Sequence, residues 1–99
     1  MRIPTNRPPT PPGAFLREYL EDFGVSQSEL ARRIHVPFQR VNDVVNARRA
    51  LTASTALRLA RFFDNDPEFW MNAQQACDLF EAARQEKRTL DRITPVGAH

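Results

Sequence analysis

Apolar residues recur along this chain at helical spacing, and nowhere do they alternate as they would in a strand. Phe15, Leu16, Tyr19, Leu20 and Phe23 share one stripe and predict a helix over 13–23, stopped by Gly24. Ser26 with Glu29 three residues on reads as a capping box, each side chain satisfying a free amide at a helix start. Leu30, Ala31 and Ile34 then give the inner face of a helix over 27–34. His35-Val36-Pro37 breaks the pattern, because proline disfavours continuation of one helix and favours the start of the next. Val41, Val44 and Val45 mark the inner face of a third helix, over 38–46. Thr52 or a neighbour caps a fourth over 53–63, with Ala56, Leu59, Ala60 and Phe63 inward. Asp66 is a good N-cap and Pro67 an ideal first residue for a fifth helix, ending near Lys87 or Leu90. The expected organisation is all-α: a Pro-rich arm over 1–12, a folded unit over 13–90 and a flexible tail over 91–99.

A chain of 99 residues buries roughly 60–65% of its unfolded surface, enough for one compact core. With 41% hydrophobic and 26% charged residues it has the composition of an ordinary folded domain. No apolar run approaches the ~20 residues of a membrane helix, and no secretory leader is visible. The single cysteine, Cys77, cannot form an internal disulfide, and a cytoplasmic setting fits.

The net charge of +2 looks uninformative until it is divided along the chain. Residues 1–26 are neutral, residues 27–61 carry +5, and residues 62–99 carry −3. Of the 14 cationic residues 13 are arginine, and seven of those fall between 32 and 61. Arginine offers a planar, permanently charged fork suited to phosphates and guanine edges.

The second and third helices with their short break make a helix-turn-helix, in which the third enters the major groove of DNA. Its outward residues are those a base reader needs. Gln39 can pair at two points with adenine, Arg40 with guanine, and Phe38 can touch a thymine methyl. Asp43 can accept from cytosine N4, or can instead hold Arg40 from three residues away. Arg48 and Arg49 follow the helix where a phosphate strand would pass. Gln27 and Ser28 stand at the positive end of the second helix, which attracts phosphate.

On the fifth helix Phe69, Ala73, Ala76, Phe80 and Ala83 recur at heptad-like spacing, with Trp70 and Cys77 on an adjoining stripe. Phe69, Trp70, Ala73, Ala76, Cys77 and Phe80 are therefore the expected homodimer surface. A twofold dimer places two recognition helices about 34 Å apart and implies a palindromic operator. His35 and His99 lack neighbours at ligand spacing, so no metal or cofactor is expected. No nucleophile–base pair is evident, which points to a binding protein rather than an enzyme.

Four stretches carry a family resemblance: PPGAFLREYL (11–20), SELARRI (28–34), NARRALTASTALRLARFF (46–63) and DPEFWMNAQ (66–74). From Pro11 to Leu79 the chain resembles the HigA-type antitoxins of the Xre/Cro-like helix-turn-helix superfamily. The PEFW-N-Q block joined to the PPG opening is the more specific part.

The resemblance implies a five-helix, lambda-repressor-like fold and a dimer that binds an operator in its own promoter. It also implies neutralisation of a RelE-like, HigB-type mRNA endonuclease toxin encoded next door. A stand-alone Xre-type regulator without a toxin is the alternative. On this chain the base-reading role falls on Phe38, Gln39, Arg40, Asn42 and Asp43, and the phosphate role on Gln27, Ser28, Asn46, Arg48 and Arg49. By elimination the toxin surface falls on the arm and first helix, with Arg17, Glu18, Tyr19, Glu21 and Asp22 as candidates.

Three positions depart from the family's glycines: His35, Ala47 and Asp64-Asn65. Glycine there supplies a positive φ, which costs other residues roughly 1 kcal/mol. His, Asn and Asp tolerate that region better than Ala. Ala47 is therefore expected either to keep a negative φ or to shift the loop that holds Arg48 and Arg49.

Overall fold

The computed structural model describes residues 7–97, so residues 1–6 of the arm and Ala98-His99 of the tail lie outside the described residues. Among the described residues six helices follow in order: α1 Pro12–Phe23, α2 Gln27–Ile34, α3 Phe38–Val45, α4 Ala53–Phe63, α5 Pro67–Gln85 and α6 Lys87–Asp91. The first four lie within a residue of their expected bounds. The fifth expected helix is divided, because Glu86 leaves helical geometry at φ −107° and ψ 17°. A new turn starts there, with the Leu90 amide donating to the Glu86 carbonyl at 2.9 Å. Every residue from Arg84 to Gly97 is exposed, so no packing holds that helix straight.

The helix starts follow the expected chemistry with two corrections. Ser26 Oγ accepts from the Glu29 amide at 3.0 Å, and Thr52 Oγ1 from the Thr55 amide at 3.3 Å. The Glu29 carboxylate pairs with Arg33 at 3.5 Å, so among the described residues the returning half of the capping box is not made. Asp66 occupies the cap position of α5 without a side-chain bond.

Four of the helices end in the same way, on a residue in the left-handed region: Gly24 (φ 66°), His35 (62°), Ala47 (58°) and Asp64 (55°). Each turn is closed by the next amide reaching back five residues: Val25 to Leu20, Val36 to Ala31, Arg48 to Asp43 and Asn65 to Ala60, at 2.8–3.0 Å. Ala47 thus takes the positive φ itself, so the expected negative φ does not hold.

The core is shared by five helices. Leu16, Leu20, Leu30, Ala31, Ile34, Val41, Val44, Val45, Leu51, Ala56, Leu59, Ala60, Phe63 and Trp70 are all buried. Trp70 is the correction here: expected at a dimer surface, it is wholly enclosed in its own core. Its indole Nε1 donates to Asn65 Oδ1 at 3.1 Å, and Asn65 Nδ2 donates to the Tyr19 hydroxyl at 3.3 Å. That pairing removes the cost of burying the indole N–H. At the opposite end Gly13 permits a close approach of α1 to α3. A Cβ there would fall on the Val44 carbonyl oxygen and within 2.7 Å of that of Val45. This contact sets the angle at which α1 leans on the helix-turn-helix.

Candidate nucleic-acid interface

Val41, Val44 and Val45 fix α3 against the core, which turns Gln39, Asn42, Asp43 and Asn46 outward. These side chains form one hydrogen-bonded network. Gln39 Nε2 donates to Asp43 Oδ1 at 2.7 Å. Arg48 reaches the same oxygen with Nε at 3.3 Å and donates to Asn42 Oδ1 at 2.6 Å. Asn42 Nδ2 in turn donates to Gln27 Oε1, on α2, at 3.0 Å. The left-handed turn at Ala47 is what folds Arg48 back onto the helix it follows. The Gln39 hydrogen bond holds the Asp43 carboxyl below the usual aspartate range; burial opposes it, and the Arg48 hydrogen bond and charge, with the charge of Arg49, add to the lowering.

Asp43 therefore holds Gln39 and Arg48, and not Arg40 as one reading of the sequence had it. Arg40 is half-buried at the flank of α3 and makes no side-chain hydrogen bond among the described residues. Phe38 is 44% exposed in the first turn of α3. Ser28 and Arg49 are exposed at the two ends of the surface. Arg17 joins it from α1, donating to Asn46 Oδ1 at 3.4 Å. It was expected among the toxin contacts, and no local signal ties it to a residue 29 positions away. Two other arginines of the basic middle serve the fold. Arg58 donates to the Ile34 carbonyl at 2.7 Å, capping the end of α2, and Arg33 stands over the Phe62 ring at 4.8 Å.

A helix-turn-helix family model matches residues 16–70. Virulence-associated protein I of Dichelobacter nodosus is 42% identical, over 98% of this chain and 93% of its own length. Antitoxin HigA-1 of Vibrio cholerae is 33% identical, over 93% of this chain and 88% of its own. Among solved structures, Pseudomonas aeruginosa antitoxin HigA with the higBA promoter superposes with a TM-score of 0.84 at 38% identity. That match covers 89% of this chain and 98% of the other. The chain belongs to the HigA-type family of helix-turn-helix proteins.

In this HigA-type chain the outer part of α5 carries a further stretch of partly exposed apolar residues. Ala73, Ala76, Cys77 and Phe80 are half-exposed along it. Phe69 is drawn toward the aromatic cluster, with its ring edge-on to Phe15 at 5.2 Å. The arm lies against the same side of α5: Pro8, Pro9 and Pro11 line a cleft with Cys77, Phe80, Glu81 and Arg84. Burial, then the neighbouring Asp78, pushes the Cys77 thiol up. On α1, Glu18, Glu21 and Asp22 are exposed, whereas Tyr19 is half-buried, edge-on to Phe63 at 5.0 Å and to Trp70 at 5.3 Å. Tyr19 is thus a packing residue more than a free surface one, because its ring and hydroxyl are both engaged. Among the described residues no helix is long and apolar enough to cross a membrane.

Proposed function

We propose that this chain is the antitoxin of a type II toxin–antitoxin module. It is a dimeric repressor that binds a palindromic operator in its own promoter and neutralises a RelE-like, HigB-type endonuclease toxin in the cytoplasm. It acts by binding alone, without a cofactor. The observation that carries the DNA half is the ordered polar face of α3, bonded to Arg48 and to Gln27 of α2. A relative carrying the same fold, Pseudomonas aeruginosa antitoxin HigA, is solved with the higBA promoter.

In this mode α3 enters the major groove with the face that carries Phe38, Gln39, Arg40, Asn42 and Asp43 turned to the bases. Gln27, Ser28, Asn46, Arg48 and Arg49 grip the flanking phosphates and set the register. A second copy packs through Phe69, Ala73, Ala76, Cys77 and Phe80. The exposed acids Glu18, Glu21 and Asp22 on α1 face the toxin, whose substrate chemistry demands a basic surface.

A footprint on the chain's own promoter, at stated salt, tests the operator. Protection of two half-sites one helical turn apart supports the reading, and unprotected promoter DNA refutes it. Co-purification with a small basic protein encoded next door, whose toxicity returns when this chain is removed, tests the antitoxin role. A chain with no such partner is a stand-alone regulator.

A further inference from the structure

The hydrogen bonds around Asp43 determine which way the Gln39 amide faces. A carboxylate only accepts, so the Gln39 group within 2.7 Å of Asp43 Oδ1 has to be the amide nitrogen. One of its two N–H groups is spent there. What remains for DNA is one carbonyl oxygen and one N–H. Adenine offers a matching pair in the major groove, an N6 donor beside an N7 acceptor. Guanine offers two acceptors, O6 and N7, which a freely turning amide could meet with both N–H groups. The clamped amide cannot, because its oxygen would face O6.

A bare carboxylate near the phosphate backbone would be repelled. Here Arg48 Nε sits 3.3 Å from the same oxygen and compensates its charge. The same logic runs on through the network. Arginine only donates, so Arg48 at 2.6 Å fixes Asn42 Oδ1 toward itself and Asn42 Nδ2 toward Gln27 Oε1. Both N–H groups of Gln27 are left free of this network to donate outward.

We infer that Asp43 is a positioning residue for Gln39 and not a base contact, and that the pair makes the chain select adenine over guanine at one position of each half-site. The inference rests on the operator-binding reading. The experiment is selection from a randomised duplex library, followed by measured affinities for adenine and guanine versions of the selected duplex.

Wild-type chain should favour adenine at that position by tenfold or more, the discrimination of a good two-point pair being roughly tenfold to a hundredfold. Asp43→Ala should collapse that preference while the other positions stay selected. Asp43→Glu, which keeps an acceptor-only partner, should retain most of it. In a Gln39→Ala background, Asp43→Ala should change base preference no further.

An effect of Asp43→Ala that persists without Gln39, or that falls on a different base pair, would make Asp43 a base reader and overturn the inference. So would an adenine preference that survives Asp43→Ala. If wild-type chain selects no duplex at all, the operator-binding reading itself fails, an outcome distinct from the others.

Discussion

Ala47→Gly should stabilise this protein. Ala47 sits at φ 58°, where its Cβ crowds the following carbonyl, a strain of about 1–2 kcal/mol for an L-residue. Glycine removes the strain but gives the unfolded chain more freedom, which takes back about 0.4–1 kcal/mol. The residue is exposed, so deleting its methyl group gives up little buried surface. The net gain is about 0.5–1 kcal/mol. In a domain of this size that raises Tm by roughly 2–8 °C. Urea or thermal melts followed by circular dichroism, at fixed protomer concentration, read it directly. Ala82→Gly is the control: Ala82 is exposed inside α5, and glycine there should destabilise by about 1 kcal/mol. Opposite signs for the two variants support a left-handed Ala47. If Ala47→Gly destabilises as much as Ala82→Gly does, residue 47 has a negative φ in solution, and the placement of Arg48 falls with it.

Gly13→Ala should lower stability by roughly 1–3 kcal/mol, because its methyl group meets the Val44 and Val45 carbonyls and must push α1 off α3; melts check it. Arg40→Ala should cost about 1–3 kcal/mol in operator binding and relax one base position, whereas Arg48→Ala should lower the salt slope by about 1 for every sequence and, through Asn42 and Asp43, loosen selection at a different position. Identical effects of these two on base preference would refute the assigned register of α3. Asp43 should titrate below the usual aspartate range by NMR, and Gln39→Ala should bring it back up. Because the folded value is the lower one, the network's contribution is complete above the ordinary aspartate value. It is lost as pH falls through the depressed one, so base preference should not change between about pH 5 and 8.

The helix-turn-helix was legible because its signals are local. A capping serine, the Pro37 break and valines one turn apart suffice to place α2 and α3. The α5 surface was less so. Phe69, Trp70, Met71, Ala73, Ala76, Cys77, Leu79 and Phe80 surround that helix so fully that spacing cannot separate inward from outward. Trp70 went inward because Asn65, at the end of α4, supplies an acceptor for its N–H. The contacts of Arg17 with Asn46 and of Arg58 with Ile34 join distant segments, which no periodicity encodes.

Those contacts also change what the +5 of the middle segment means. Arg58 is held by the end of α2, and Arg33 by Glu29 and the Phe62 ring, so neither is free to meet phosphate without giving up a fold contact. Arg40, Arg48 and Arg49 remain on or beside α3, and Arg17 joins them from outside the basic segment. With Arg40 turned to the bases and three cations left for phosphate on each copy, the proposed dimer would neutralise about six phosphates on its operator, which corresponds to a salt slope near −5. Counting all seven middle arginines would give about −13. The exposed Arg32 and Arg61 stand on α2 and α4 rather than at α3, so less than half of that count is left for DNA, and of the rest only Arg33 and Arg58 are withdrawn by the contacts that organise the fold. Hydrogen bonds also convert one of the remaining arginines, Arg48, from a bare phosphate contact into the group that orients the amides of the reading face.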